Sequence, residues 1–190
     1  MPLERVVFDP WPGTATEADL LRLVEGDRLC ELIDHTLVEK PVGYWEALVA
    51  STIAKILGNY VDDRDLGAVS GPDSTMRMKS GNVRLPDVAF VSNDHLPKTM
   101  APIPNLSPDL AIEVLSKSNT PAEMQQKLRE YFHSGTRLAW FVELEARKVS
   151  VYRSPGAPTR VLDESGVLDG EDVVPGFSVP VADVFRKLPG

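Results

Sequence analysis

Cysteine and histidine are scarce in this chain of 190 residues. Cys30 is the only cysteine, so an internal disulfide and a cysteine-rich zinc site are both excluded. The three histidines, His35, His95 and His133, are dispersed, and no two have the spacing of a helical zinc site. A metal site in this chain would have to use oxygen or nitrogen ligands.

Sequence signals of several common protein classes are also missing. No apolar run approaches the length of about 18 residues that marks a membrane span, and no basic-then-apolar leader is present. We therefore expect a cytoplasmic protein. There is no glycine-rich phosphate loop, no Gly-x-Ser-x-Gly elbow and no dinucleotide fingerprint, so most other enzyme classes lose their sequence support.

Positive charge is in short supply. The chain has 20 Lys+Arg against 28 Asp+Glu, a formal net charge of −8, which is unfavourable for binding a polyanion. A nucleic-acid partner would require the basic residues to gather on one surface, and the candidates are Arg77, Lys79, Arg84, Lys117 and Lys127. The content of 43% hydrophobic and 25% charged residues is ordinary for a globular protein, and we expect one domain over 1–190.

Three polar residues stand where the local pattern favours apolar ones. Asp87 opens the run 88–91 (VAFV), and Glu113 is embedded in the apolar segment 110–115 (LAIEVL). Both segments read as short strands. Because removing an ionised carboxylate from water costs several kcal/mol unless a cation, a metal or hydrogen bonds compensate it, each carboxylate needs a partner.

The third residue, Lys127, belongs to a well-marked helix. Thr120 is a predicted N-cap with Glu123 in a capping box, and Gly135 marks the end. An apolar stripe recurs at helical spacing: Met124, Leu128, Tyr131 and Phe132. Lys127 lies within or beside this stripe, where it can point toward the strand of Glu113.

These stretches resemble the Uma2 family of restriction-endonuclease-like proteins, in the PD-(D/E)XK nuclease superfamily. The matching segments are 84–91 (RLPDVAFV), 108–116 (PDLAIEVLS), 127–131 (KLREY) and 140–142 (WFV). The resemblance implies that Asp87 and Glu113 bind a divalent metal, with the backbone carbonyl of Val114 as a further ligand. It also implies a DNA substrate, and a homodimer would place two sites on two strands, although no residue pattern shows that symmetry.

The lysine departs from the usual superfamily pattern. That pattern has a lysine two residues after the glutamate, where this chain has Leu115. In the Uma2 pattern the following helix supplies it, so the resemblance assigns Lys127 to the nucleophile or the scissile phosphate. Lys117 is the alternative lysine.

The implied chemistry is physically reasonable. Phosphodiester hydrolysis requires an activated water and neutralisation of charge on phosphorus, and Mg²⁺ held by two carboxylates supplies both. Mn²⁺ accepts the same hard ligands. Glu46, on the long helix predicted from Gly43 to Val61, is a candidate outer ligand or water-orienting base; the alternative for Glu46 is a solvated helix flank.

The element pattern predicts an α/β fold, and the resemblance implies a restriction-endonuclease-like mixed central sheet flanked by helices. Before it come a short helix over 16–24 and a β-hairpin of strands 28–33 and 36–40. A proline-rich loop over 97–108 is the clearest candidate for a substrate-facing segment. The predicted strand 138–143 and the final helix 181–185 complete the second half.

Two functions from different classes remain open. The first is a Mg²⁺-dependent DNA endonuclease with Asp87, Glu113 and Lys127 at its centre. The second is a catalytically weak or inactive relative that serves as a nucleic-acid or protein interaction module, which the acidic composition favours. Taken singly, Asp87 as a turn cap, Glu113 as an edge-strand residue and Lys127 as a snorkelling lysine are each reasonable; their order and context together favour a site.

Overall fold

The computed structural model describes residues 3–41 and 43–189. A 3-10 turn at Leu3–Arg5 precedes the helices α1 (Glu17–Glu25), α2 (Tyr44–Asp62), α3 (Pro121–Ser134) and α4 (Val181–Phe185). The strands are β1 (Cys30–Ile33), β2 (Thr36–Glu39), β3 (Gly67–Ser70), β4 (Met76–Arg77), β5 (Val83–Arg84), β6 (Val88–Ser92), β7 (Leu110–Leu115), β8 (Leu138–Glu143), β9 (Lys148–Tyr152), β10 (Arg160–Leu162), β11 (Val167–Asp169) and β12 (Ser178–Pro180). No helix in the described ranges is long and apolar enough to cross a membrane.

The largest sheet has six strands in the order β10-β9-β8-β7-β6-β3. β7 and β8 are parallel and α3 connects them, whereas the other neighbouring pairs are antiparallel. Successive side chains along each strand face opposite sides of the sheet. Val88 and Ile112 therefore pack with α2, while Ala89 and Ala111 pack with α3 on the other side.

A second sheet of four short strands, in the order β2-β1-β5-β4, adjoins the first. The predicted N-terminal hairpin is β1–β2, and α1 packs against it through Leu20, Leu32 and Leu37. The chain runs from β5 through Leu85 and Pro86 directly into β6. This link brings the second sheet to the end of the main sheet where Asp87 lies.

Long elements agree closely with the sequence predictions. Helix α3 has Thr120 as N-cap with the reciprocal Glu123 capping box, and Gly135 ends it in a left-handed conformation at φ 118°. Strand β8 and helix α4 have the predicted bounds. The missed strands, β5, β10, β11 and β12, have two or three residues each, too few to show an alternating pattern.

Gly67 at the start of β3 is required where two strands approach closely. Its φ is 154°, and a Cβ at this position would lie 2.1 Å from the carbonyl oxygen of Val91 on β6. Gly58, within α2, is the contrasting case, because the nearest atom to its Cβ would be 4.0 Å away on Val69.

We expect Gly67→Ala to lower the free energy of unfolding by about 2 kcal/mol or more, since the backbone of Val91 must shift. Gly58→Ala, the matched control, should raise it by about 0.5–1 kcal/mol because alanine favours the helix. Urea denaturation of both variants measures this difference. Equal effects at the two positions would contradict the close approach of β3 and β6.

Candidate metal centre

Strand register places the two predicted carboxylates on one face of the main sheet. β6 and β7 pair with Val88 opposite Ile112 and Ala89 opposite Ala111, so the next pair in this register is Asp87 opposite Glu113. Opposed residues of an antiparallel pair project to the same side. That side is the one covered by α3, the helix that carries Lys127.

Asp87 is held by a backbone amide and by a lysine. The N–H of Val114 donates to Asp87 Oδ2 at 2.7 Å, and Lys40 Nζ lies 2.8 Å from Asp87 Oδ1. Lys40 also donates to the carbonyl of Leu85 at 2.5 Å. The Asp87 side chain is 16% exposed, so this carboxylate lies at the solvent edge of the site.

Glu113 lies deeper and is contacted by two residues of α3. Lys127 Nζ donates to Glu113 Oε2 at 3.0 Å, and the Tyr131 hydroxyl donates to Glu113 Oε1 at 2.6 Å. Lys127 and Tyr131 are one helical turn apart, so they face the same strand. Both are buried, and each carboxylate oxygen of Glu113 has its own donor.

A third carboxylate, Glu31 of β1, completes the surroundings of Lys127. Glu31 Oε1 lies 3.1 Å from Lys127 Nζ and accepts the backbone N–H of Leu85 at 3.2 Å, while Oε2 is 2.8 Å from Arg84. Arg84 is 1% exposed and also pairs with Glu130 of α3 at 2.7 Å. The second sheet, which contains the β1–β2 hairpin, and α3 are thus joined by buried ion pairs at this point.

We call these seven residues the charge cluster: Asp87, Glu113, Glu31, Glu130, Lys40, Arg84 and Lys127. Four carboxylates face three cations, so the cluster carries one negative charge in excess when all are ionised. Because charges removed from water are stabilised mainly by opposite charges, this excess creates a preference for one more cation or one proton.

The pKa of Glu113 reflects that excess. Burial raises its pKa, and although Lys127 opposes the shift, the neighbouring charges of Asp87 and Glu31 raise it further. Burial alone would also raise the pKa of Glu31, but Lys127, Arg84 and Lys40 outweigh it and lower this pKa to about 2. Lys127 has a raised pKa despite burial because Glu113 and Glu31 face it. The cluster therefore has one carboxyl, Glu113, that readily takes up positive charge.

The donor set fits a divalent metal ion that prefers oxygen. A carboxylate offers about four acceptor positions, and each of Asp87 and Glu113 uses two of them within the protein. Val114, whose carbonyl is the third implied ligand, follows Glu113 on β7 and is already bonded to Asp87 through its N–H. The residues described contain no group of three or more His, Cys, Asp or Glu arranged to hold a metal, so a metal here would have two carboxylates and complete its shell otherwise.

Glu46 occupies a different position from the cluster. It lies in the first turn of α2, which packs on the opposite face of the main sheet, and it folds back over Gly43. In the described ranges no hydrogen bond or ion pair joins Glu46 to Asp87, Glu113 or Lys127. Its assignment as an outer ligand or water-orienting base stays a prediction.

A cavity of about 920 Å³ opens beside the end of β7. Its lining includes Trp45, Glu46, Leu115, Ser116 and Lys117. Lys117 is 86% exposed and pairs with Glu145 at 2.7 Å, so the ammonium that contacts Glu113 in the structure is that of Lys127. The cavity is the open space adjoining the strand that carries Glu113 and Val114.

The basic patch considered from the sequence does not form as a free cationic surface. Arg84 and Lys127 are buried in the cluster, Arg77 is paired with Glu17, and Lys117 is paired with Glu145. These four guanidinium and ammonium groups each have a carboxylate partner, whereas Lys79, the fifth candidate, has no ion pair within the described ranges.

Sequence reasoning missed the contributions of Glu31 and Lys40. Glu31 carried the same signal as Glu113, a carboxylate inside an apolar strand (CELI), and applying the rule uniformly would have found it. Lys40 carried no such signal, because it follows β2 and its partner Asp87 is distant in sequence. Arg84 lies in the segment 84–91 that resembles the family, but its burial was not predicted.

Comparison with known proteins agrees with this fold. The Uma2 family model, described as "Putative restriction endonuclease", matches residues 17–182. A solved structure titled as a putative nuclease belonging to DUF820, from Anabaena variabilis ATCC 29413, superposes with a TM-score of 0.78 at 19% identity, covering 90% of this chain and 97% of that chain. The predicted mixed central sheet flanked by helices is confirmed.

One curated protein also matches over a short region. Dynein axonemal heavy chain 3 of Mus musculus is 29% identical over 107 residues, which are 55% of this chain. The matched region spans only 2% of that protein's length, so its activity is not carried over to this chain.

We expect Glu31→Gln to lower the free energy of unfolding at pH 7 by about 3–5 kcal/mol, because it leaves Lys127 and Arg84 with one fewer buried partner. The pKa of Glu31 is lowered from 4.5 to about 2, so its stabilisation is present above pH 4.5 and is lost as the pH falls toward 2. The difference between wild type and variant should narrow over that window.

Urea denaturation at a series of pH values measures this dependence. Glu39→Gln is the control, since Glu39 lies on the partner strand in an exposed pair with Arg28 and should change stability by less than about 1 kcal/mol. A pH-independent difference for Glu31→Gln would show that its ionisation contributes nothing to stability.

Proposed function

Because the chain belongs to the Uma2 family, we propose that it is a metal-dependent DNA endonuclease that hydrolyses phosphodiester bonds. The observation that supports this most is the opposition of Asp87 and Glu113 on adjacent strands, with Lys127 contacting Glu113. Mg²⁺ is the proposed metal and Mn²⁺ an acceptable substitute, as both prefer hard oxygen ligands.

In this proposal Asp87 and Glu113 hold the ion, with the carbonyl of Val114 beside them. A bound divalent ion would supply a water of lowered pKa and neutralise charge on the phosphate. The amide of Val114 orients Asp87, and Lys127 with Tyr131 orients Glu113, so both carboxylates are fixed before substrate arrives. Such preorganisation is what a phosphoryl-transfer site requires.

The exposure of the two carboxylates and the position of the cavity indicate where a substrate would approach. Asp87 is the more exposed of the two carboxylates. The cavity beside the end of β7 is lined by Leu115 and Ser116 and by no residue of the charge cluster, so it offers room for nucleotides that flank the cleaved bond and not for that bond itself. Trp45 lines that cavity and is partly exposed, which suits stacking on a base. With few unpaired cations around the cavity, weak and transient DNA binding is expected.

The second candidate function is a nucleic-acid or protein interaction module without catalysis. Its support is the saturation of the site by internal contacts: Lys40, Lys127, Tyr131 and the Val114 amide together contact all four carboxylate oxygens of the pair. The net charge of −8 favours a protein or a neutral surface over DNA as the partner in that case.

We expect Asp87→Asn and Glu113→Gln each to reduce plasmid nicking in Mg²⁺ or Mn²⁺ by about 100-fold or more, because each removes an anionic ligand while preserving side-chain volume. Asp73→Asn, which changes an exposed loop carboxylate, is the control and should nick at the wild-type rate. The measurement is conversion of supercoiled to open-circular DNA, with circular dichroism to verify folding.

Two results would count against the endonuclease. Nicking by both site variants at the wild-type rate would place the activity elsewhere. A folded wild type that retards DNA in a gel, yet cuts neither plasmid nor single-stranded substrates with either metal, would favour the interaction module.

A further inference from the structure

Lys40 is the residue that closes the open side of the candidate metal centre. Its side chain is 7% exposed, and its ammonium sits between Asp87 Oδ1, at 2.8 Å, and the carbonyl oxygen of Leu85, at 2.5 Å. These two oxygens, one anionic and one carbonyl, are of the type that Mg²⁺ and Mn²⁺ bind. The Lys40 ammonium thus lies at a position where the two neighbouring oxygens favour a positive charge.

The two lysines of the cluster differ in their freedom to leave. Lys127 is between Glu113 and Glu31, both 5% exposed, so removing its ammonium would leave two buried carboxylates without the cation that they share. Lys40 contacts one carboxylate, and that carboxylate, Asp87, is the more exposed one at 16%. The energetic cost of displacement is therefore smaller for Lys40 than for Lys127.

The charge count of the cluster favours the departure of one lysine when a divalent ion enters. Four carboxylates and three cations leave one excess negative charge, whereas a divalent ion added without any displacement would leave one excess positive charge in a largely buried site. If the ammonium of Lys40 moves out as the ion enters, the cluster is neutral. Charge balance thus favours exchange of one lysine for the metal, and the lower cost of displacement selects Lys40.

We propose that Lys40 is an internal counter-cation that occupies the metal position beside Asp87, lowers metal affinity, and is drawn away by a phosphodiester of the substrate. This rests on the proposed metal-dependent endonuclease function. The displaced ammonium needs an anionic partner outside the cluster, and a DNA phosphate at the Asp87 edge supplies one. Metal binding and DNA binding are then coupled, each strengthening the other by the same factor.

The first test is titration of Mn²⁺ by calorimetry at 0.15 M salt. Lys40→Met and Lys40→Gln should bind Mn²⁺ roughly 10- to 100-fold more tightly than wild type, because the competing cation is gone. Lys40→Gln keeps amide donors for Asp87 and Leu85, so it covers a failure of Lys40→Met to fold. Lys55→Met removes an exposed lysine of α2 and should leave the affinity unchanged.

The second test adds a DNA duplex with non-hydrolysable linkages. DNA should tighten Mn²⁺ binding by wild type roughly 10-fold or more and by the Lys40 variants much less, because the variants have no ammonium to draw away. A purely structural lysine would give the opposite sign, since its removal would misplace Asp87 and weaken metal binding.

The outcomes separate this inference from the function on which it rests. If Asp87→Asn abolishes Mn²⁺ binding but the Lys40 variants bind no more tightly than wild type, the inference on Lys40 is wrong and the metal centre remains. If Asp87→Asn binds Mn²⁺ like wild type, or neither wild type nor the Lys40 variants bind it with or without DNA, both the inference and the metal centre are overturned.

Discussion

Burial of opposed carboxylates is the constraint on which this structure depends. Asp87 and Glu113 face each other because β6 and β7 pair in one register, and a slip of either strand by one residue would turn its carboxylate to the α2 side. Both carboxylates require cations and donors, and those come from three places: the α3 helix, the backbone of β7 at Val114, and Lys40, the residue after β2. The site therefore forms only when all three have assembled.

The same ion pairs join the two sheets. Arg84 lies on the second sheet and reaches Glu130 of α3, while Glu31 of the hairpin reaches Lys127 of the same helix. Because β5 leads directly through Leu85 and Pro86 to Asp87, any movement of the hairpin sheet would move Asp87 as well. The contacts that attach the second sheet to α3 are therefore the same contacts that position the carboxylates. A single substitution would affect both roles at once.

The long elements and the three residues Asp87, Glu113 and Lys127 could be predicted from the sequence because their signals lie within short stretches of the chain. Thr120 and Glu123 mark the start of α3 and Gly135 marks its end, while Glu113 is a single charged residue in an otherwise apolar strand. The hairpin of the second sheet was predicted, but its pairing with β5 was not, because β5 has only two residues. Lys40 was not foreseen because its partnership with Asp87 arises from tertiary contact. Local patterns predicted Glu113 and the lysine that compensates it, Lys127, but they did not predict the buried roles of Glu31 and Arg84.

The position of the lysine follows from how α3 crosses β7. Leu115, two residues after Glu113, is on the same side of the strand and packs against the apolar cluster that includes Met124 and Leu128 of α3. Lys127 and Tyr131, four residues apart on α3, contact the two oxygens of Glu113 separately. In this way a single helix supplies a donor to each oxygen of the Glu113 carboxylate. Placing the ammonium on α3 also allows Glu31 to share it, so the lysine that orients Glu113 at the same time anchors the hairpin.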